Sequence, residues 1–210
     1  MTSPSPARAF DVRHLQLARA LFAAVAAVMV TFSTDHSAPV GLSVFSGFAI
    51  ATGLVFALGA WLAFPKGRRA PVVLLAVVTV LAGLVASAGR GTVFFFVVVI
   101  AWALVSGVIE ATAALLARRA GRVDGAARDG LIVGALTVLL GVALLFTNSG
   151  YALEYFIEDA GRSFTLTGIT IAVGLFGGYA AIVAVFLAIA GLSPRRPDTV
   201  PVASVEEPAS

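Results

Sequence analysis

The sequence predicts an all-α polytopic membrane protein with six transmembrane helices, and the prediction rests on composition and on apolar blocks. Of its 210 residues, 60% are hydrophobic and 12% are charged, whereas a typical soluble domain has about 25% charged residues. The apolar residues form long blocks, and a helix needs about 20 such residues to cross the membrane. In lipid, only helices and closed barrels satisfy the hydrogen bonds of the backbone. These blocks lack the strict alternation of barrel strands, so they must be helices.

Each apolar block ends at charged residues, proline or a polar cluster. The predicted spans are Leu15–Ser33, Val40–Phe64, Pro71–Gly89, Thr92–Ala117, Gly130–Thr147 and Phe164–Leu192. Only Gly89-Arg90-Gly91 separates the third and fourth spans, so these two must be adjacent and antiparallel. Taken in order, the spans form three antiparallel hairpins. A Thr-Val-Leu-X-Gly segment recurs at 79–83 and 137–141, which makes a parallel repeat about the membrane normal one interpretation.

The distribution of Lys and Arg predicts that both termini are cytoplasmic. Twelve of the 14 basic residues fall on one side: Arg8, Arg13, Arg19, Lys66, Arg68, Arg69, Arg118, Arg119, Arg122, Arg128, Arg195 and Arg196. Cytoplasmic flanks of membrane helices are enriched in these residues. We therefore expect a multi-pass protein of the inner cell membrane whose basic face lies against anionic lipids. The same asymmetry explains the high isoelectric point without nucleic-acid binding.

The chain is predicted to hold one transmembrane domain over residues 15–192. Residues 1–14 and 193–210 are rich in Ser, Pro and Ala and contain few large apolar residues, so we expect disordered cytoplasmic tails. The first span is long for the apolar region of a signal peptide, and residues 34–39 offer a poor cleavage pattern. We therefore expect it to be retained.

The longest outer segment, 148–163, is predicted to contain a short interfacial helix. Leu153, Phe156 and Ile157 recur at helical spacing opposite Glu154 and Glu158. A solvated acidic loop is the simpler interpretation of its charge, and a sensory role is the alternative.

Small residues inside the spans are the candidate helix-packing positions, because they let helix backbones approach closely in lipid. The candidates are Gly107, Gly134, Gly141 and the small-xxx-small pair Ser43 and Gly47. A substrate path lined by glycine is the alternative interpretation.

Glu110 is the candidate intramembrane functional residue, because it is the one acidic residue well inside a predicted span. Arg118 follows it by a rise of about 12 Å along the helix. A carboxyl group at this depth must be buried in the bundle, paired or protonated. We expect Glu110 to be protonated at neutral pH unless a basic side chain of another helix reaches it. A structural role and proton or ion handling both remain open.

The residue pattern predicts a non-enzymatic protein without a cofactor or a bound metal. The chain has no cysteine, which excludes thiolate catalysis and cysteine-built metal sites. Ser106-Gly107 lacks the preceding glycine of a nucleophile elbow, and His14 and His36 lie at or beyond span ends. No pair of intramembrane aspartates is present.

The range Trp102–Ala114, followed by the basic pair at 118–119, resembles the HdeD-type acid-resistance membrane protein family. In that family a Trp-Ala…Gly-X-X-Glu…Ala-Ala helix with a basic end precedes an apolar helix with spaced glycines, and residues 130–145 are similar to that second helix. Agreement is good over 102–147, and the six-span layout agrees more loosely. The linker 120–129 and the loop 148–163 depart from the pattern. The resemblance implies a small inner-membrane protein linked to acid or general stress, without settling a mechanism.

Two functions therefore stay open. The first is a stress-response protein that acts through helix packing, with a homo-oligomer or an envelope protein as candidate partner. The second is a small proton-linked transporter or channel that uses Glu110. A transporter should place a second polar residue opposite Glu110 across a cavity, whereas a packing protein should bury Glu110 against Ser, Thr or backbone groups. The few polar residues in the spans, with Arg19 and Gln16 near one end, favour the first.

Overall fold

The protein is an all-α polytopic bundle. The computed structural model describes residues 11–121, 125–158 and 161–193. Its long helices are α1 (Val12–Phe32), α2 (Ala38–Leu62), α3 (Ala70–Ala88), α4 (Thr92–Arg119), α5 (Gly125–Leu145) and α6 (Gly168–Leu192). All six are long and apolar enough to cross a membrane. Residues 1–10 and 194–210 of the predicted tails lie outside the described part, whereas residues 12–14, which were assigned to the first tail, belong to α1.

Local sequence signals fix several helix ends. Asp11 caps α1, and its side chain and that of His14 form a reciprocal capping box. Proline stands in the first turn of both α2 and α3, where its missing N–H leaves no hydrogen bond unmade. Gly91 precedes α4 with φ of 91°, a conformation that glycine adopts without strain. The short connection before it is thus a tight turn.

The fifth span begins earlier than predicted. The fifth span was predicted over Gly130–Thr147, but α5 starts at Gly125 and includes Arg128 and Asp129. Hydrophobicity marks only the part of a helix that lies in hydrocarbon, whereas these polar residues extend the helix beyond it. The short 3-10 helix η1 (Lys66–Arg68) lies between α2 and α3 at the same end of the bundle.

The predicted interfacial helix in 148–163 is wrong. The segment forms strand β1 (Ala152–Ile157), which pairs antiparallel with β2 (Arg162–Thr167), and Tyr155 lies opposite Phe164. These two rings stack at 6.0 Å, and aromatic and β-branched residues of both segments favour strands. The predicted sixth span consequently loses its first residues to β2, and α6 begins at Gly168.

The six helices form a closed ring, because each contacts the next in sequence and α6 returns to α1. Three of these interfaces are the closest: α1 with α6, α2 with α3, and α4 with α5. We call them the tight pairs. We call the end where α1, α3 and α5 begin the basic end, and the end with the β-hairpin the hairpin end. The tight pairs alternate with looser contacts inside each sequential hairpin.

Two tight pairs share one contact register. In α2–α3, Gly53 lies against Val80 and Gly83 lies against Ile50. In α4–α5, Gly107 lies against Val138 and Gly141 lies against Leu104. The spacing between the two members on each helix is the same in both pairs. The recurring Thr-Val-Leu-X-Gly segment is therefore part of a repeated helix-pair contact.

Candidate functional site

Glu110 is paired with Arg19, which reaches it from α1. The Arg19 Nη1 donates to Glu110 Oε1 at 2.7 Å, and Nη2 donates to Oε2 at 3.1 Å. The two side chains are only 12% and 11% exposed. A basic side chain from another helix thus reaches the carboxyl group, which is the condition under which Glu110 need not be protonated. The geometry is that of a bidentate guanidinium–carboxylate pair.

The guanidinium of Arg19 is held in place by a second contact. Its central carbon lies 4.4 Å from the ring centroid of Phe56 in α2, within the range of a cation–π interaction. Its Nε is buried and has no hydrogen-bond acceptor among the residues that the structure describes. Arg19 therefore presents a plane of donors that is held by two contacts and whose Nε–H is unused.

A cavity of about 310 Å³ opens beside this ion pair at the basic end. Its walls come mainly from apolar side chains, including Leu15, Phe56 and Leu75. Five polar or charged residues also line it: Gln16, Arg19, Arg68, Glu110 and Asp129. Gln16 donates to Asp129 at 2.7 Å and so links α1 to α5.

A second, much smaller cavity of about 20 Å³ lies on the other side of the ion pair. Polar residues that line it include Thr52, Thr79, Ser106, Thr137 and Tyr179. The Thr52 hydroxyl is buried and has no hydrogen-bond partner in the described part of the chain. The volume is sufficient for about one water molecule. Buried hydroxyls thus continue the polar region from the ion pair towards the middle of the bundle.

Hydrogen bonds tie most of these hydroxyls to neighbouring helices. The Trp102 indole N–H donates to Thr79 at 3.3 Å, which joins α4 to α3. Thr137 and the Tyr179 hydroxyl are 2.8 Å apart, which joins α5 to α6. Ser106 donates to the Trp102 carbonyl oxygen within its own helix at 2.6 Å.

Aromatic side chains fill the bundle beyond this layer, towards the hairpin end. Phe45, Phe95 and Phe176 are fully buried. Phe45 makes edge contacts with Trp102 at 5.2 Å and with Phe176 at 5.6 Å between ring centroids. The polar region that begins at the basic end therefore stops at a packed aromatic core.

The predicted packing residues occupy two environments. A Cβ at Gly134 would lie 2.6 Å from the Ala111 backbone nitrogen and 2.9 Å from the Gly107 carbonyl oxygen, so Gly107 and Gly134 lie at the closest part of the α4–α5 contact. Ser43 and Gly47 instead lie on the exposed face of α2, and no described residue lies within 4 Å of a Cβ at Gly47. Among the described helices, that pair is outside the helix contacts.

Gly141 is closer to side chains than to backbone. A Cβ there would lie 2.8 Å from Leu104 Cδ2 and 3.3 Å from Ala103 Cβ. A larger residue at Gly141 must therefore displace side-chain atoms of α4.

Sequence reasoning identified Glu110 but not its surroundings. Arg19 was placed near a span end and was not paired with Glu110. The signal was present, since Arg19 is the one basic residue and Glu110 the one acidic residue inside the predicted spans. Thr79 and Thr137 were noted only as members of a recurring segment. Their hydrogen-bond partners depend on which helices become neighbours.

The site offers a carboxylate and a guanidinium to a small molecule, together with apolar walls. Within residues 11–121, 125–158 and 161–193, no group of three or more His, Asp or Glu side chains could hold a metal ion. No family model, no curated protein and no solved structure matches this chain. The resemblance to the HdeD-type family accordingly stays a prediction.

Proposed function

We propose that this protein is a non-enzymatic membrane carrier that binds a small solute in the basic-end cavity and moves it across the membrane in a proton-linked cycle. Arg19 and Glu110 are the charged groups of the site that act on the solute and on the proton. The observation that supports this is an ion pair between two sequence-distant helices, open to a cavity. Arg19 contacts Glu110 directly and not across the cavity, but the pair borders the cavity, and among the described residues Glu110 is not buried against Ser, Thr or backbone groups. Of the two functions left open by the sequence, this arrangement favours the transporter.

The energetics of the pair argue against a purely structural role. Burying two charges costs several kcal/mol per ion before their attraction is counted, and apolar residues of similar size often serve stability as well or better. In the α2–α3 pair, Phe56 occupies the position that Glu110 occupies in α4. The bundle can therefore pack this position with an uncharged side chain, so stability alone does not explain why a carboxylate is present there.

The dimensions and the construction of the bundle suit a carrier. Small-molecule sites are commonly clefts of about 300–1,000 Å³ with apolar walls and few polar groups. The aromatic core closes the hairpin end, so access alternates only if helices move. The tight pairs, with backbones in close approach at glycine, are suited to move as units, while the looser contacts between them rearrange.

The membrane orientation and the physiological setting belong to the same proposal. The basic end is placed in the cytoplasm, against anionic lipid of the inner membrane, by the distribution of Lys and Arg. The resemblance implies a role in acid or general stress. A homo-oligomer or an envelope protein is the partner that we propose.

Labelling of single cysteines tests the orientation without background, because the native chain has none. Arg68→Cys should react with a membrane-impermeant thiol reagent only from the cytoplasmic side, and Asn148→Cys only from outside. The reverse pattern would contradict the placement of the basic end.

Solute binding and transport are tested with three six-carbon probes that differ in charge: hexanoate, hexylammonium and hexanol. At least one should raise the melting temperature of the wild type in lipid nanodiscs and should drive proton flux in proteoliposomes. The matched control is the double variant Arg19→Leu/Glu110→Leu, which removes both charges and keeps apolar volume. If no probe binds to the wild type or produces flux, or if the double variant behaves like it, the proposal is refuted.

A further inference from the structure

We infer that the solute is a small amphiphilic organic anion, and that its acidic group replaces Glu110 on Arg19 while Glu110 takes up a proton. This inference rests on the proposed function and specifies its substrate class and its coupling. In the resting state Arg19 is paired with Glu110, and in the loaded state it is paired with the solute.

Arg19 is built to receive an anion. Its guanidinium lies against the Phe56 ring, so its plane is fixed before a solute arrives. The planar fork of arginine pairs with a carboxylate through two parallel hydrogen bonds. The buried Nε has no acceptor among the described residues, so Glu110 does not satisfy all the donors of Arg19.

A cationic solute is disfavoured by the charges around the site. Both oxygens of Glu110 already accept hydrogen bonds from Arg19. The described residues of the basic end are mainly cationic: Arg13, Arg68, Arg69, Arg118, Arg119 and Arg128. A cation must approach through this positive field, whereas an anion is attracted by it.

The walls of the cavity select an apolar body for the same solute. Leu15, Val72 and Leu75 line it together with the aromatic side chains of Phe56 and Phe64. A short alkyl or aryl group is stabilised by contact with these side chains, while the acidic group reaches Arg19. A small hydrophilic anion such as phosphate would make no favourable contact with these apolar walls.

The exchange is balanced by one proton. When the anion takes over Arg19, the Glu110 carboxylate accepts a proton from water, so one negative and one positive charge enter together. The other ionisable groups that line the two cavities are Arg68, Asp129 and Tyr179. Asp129 keeps its hydrogen bond from Gln16, and the Tyr179 hydroxyl keeps its contact with Thr137, so Glu110 is the group that loses its partner.

Hexanesulfonate tests the exchange in the wild type, because this probe stays ionised and cannot bring the proton itself. Calorimetry in nanodiscs, in two buffers of different ionisation enthalpy, measures proton uptake. We expect about one proton per bound anion and an affinity that falls roughly tenfold for each pH unit above neutral. Binding without proton uptake would overturn the exchange.

Two single variants test whether Arg19 binds the anion and whether Glu110 accepts the proton. Glu110→Gln removes the competing carboxylate, so hexanesulfonate should bind roughly tenfold or more tightly at pH 7 and without proton uptake. If the unpaired Arg19 destabilises this variant, the probe should raise its melting temperature by more than that of the wild type, because binding to the folded state stabilises it. Arg19→Leu should abolish binding. Unchanged binding in Arg19→Leu, or unchanged proton uptake in Glu110→Gln, contradicts the inference.

The neutral and cationic probes separate this inference from the proposed function. If hexylammonium or hexanol binds in the cavity while hexanoate and hexanesulfonate do not, the protein remains a solute carrier and the anion inference fails. If none of the probes binds, both fail. Binding of both anions with proton uptake, lost in Arg19→Leu, supports both.

Discussion

The α2–α3 and α4–α5 pairs pack in the same register but differ at one position in the core. Phe56 lies one turn beyond the contact glycine Gly53, and Glu110 lies one turn beyond Gly107. Phe56 is buried, clusters with Leu75 and supports the guanidinium of Arg19. Because one pair fills this position with an apolar ring, helix packing does not require the carboxylate. The difference is consistent with the proposal that the ion pair serves binding and not packing.

Reversing the charge at the differing position should have the largest effect. Glu110→Lys places a second cation beside Arg19, and breaking a buried ion pair in this way costs about 3–5 kcal/mol or more, so we expect loss of the folded protein. The yield of monodisperse protein in mild detergent measures it. Arg19→Leu/Glu110→Leu is the matched control and should fold near wild-type stability. A double variant as unstable as Glu110→Lys would show that the fold needs the pair.

Substitutions at the closely packed glycines should have the next largest effect on stability, and this effect should be equal in both pairs. Gly83→Leu and Gly134→Leu each push a side chain against backbone atoms of the partner helix, within 3.0 Å of a Cβ, and overpacking typically costs about 1–3 kcal/mol. Thermal unfolding in detergent compares them with Gly47→Leu, which faces open space and should be neutral. If only one of the two variants is destabilised, the two pairs share a contact register but do not depend equally on close packing for stability.

The six spans could be predicted because each depends only on its own hydrophobicity. Their ends were less certain where polar residues continue a helix beyond hydrocarbon, as at Gly125 in α5. The β-hairpin was missed for a different reason. Its strands pair residues that local periodicity assigned to two elements, an interfacial helix and the start of the sixth span. Pairing between segments leaves only a weak trace in the periodicity of either one.

The site was predictable in part. Glu110 could be identified because a carboxyl group inside a span is costly whatever surrounds it. Its partner depends on α1 lying near α4, which nothing local in either helix specifies. The cavity beside the pair depends on how α1, α3 and α5 begin at one end. The available signal for the partner was that the predicted spans contain one basic and one acidic residue.

A smaller loss is expected at Gly141. Gly141→Leu meets the side chains of Leu104 and Ala103, which can yield more easily than backbone, so its destabilisation should fall at the lower end of about 1–3 kcal/mol. Unfolding under the same conditions as Gly134→Leu gives the comparison. No change in the melting temperature would indicate that this face of α5 accommodates a large residue freely.

The smallest effects on stability should come from Thr79 in α3 and Thr137 in α5, which stand at equivalent positions in the two pairs. Thr79→Val leaves the Trp102 N–H without its acceptor, and Thr137→Val leaves the Tyr179 hydroxyl without its partner, so each should cost about 1 kcal/mol. Trp102 fluorescence should shift more in Thr79→Val, which removes its hydrogen bond, than in Thr137→Val, which reaches Trp102 only through the ring contact with Tyr179. A shift of the same size in both variants would contradict the assignment of these partners.

The ionic character of the Arg19–Glu110 pair is tested most directly by infrared spectroscopy of the carboxyl stretch in nanodiscs at pH 7. Glu110 accepts two hydrogen bonds from Arg19, so the wild type and Glu110→Gln should differ by a carboxylate band and by no protonated-carboxyl band. Arg19→Leu removes the partner, and a protonated-carboxyl band should then appear. A protonated-carboxyl band that is present in the wild type and lost in Glu110→Gln would contradict the account.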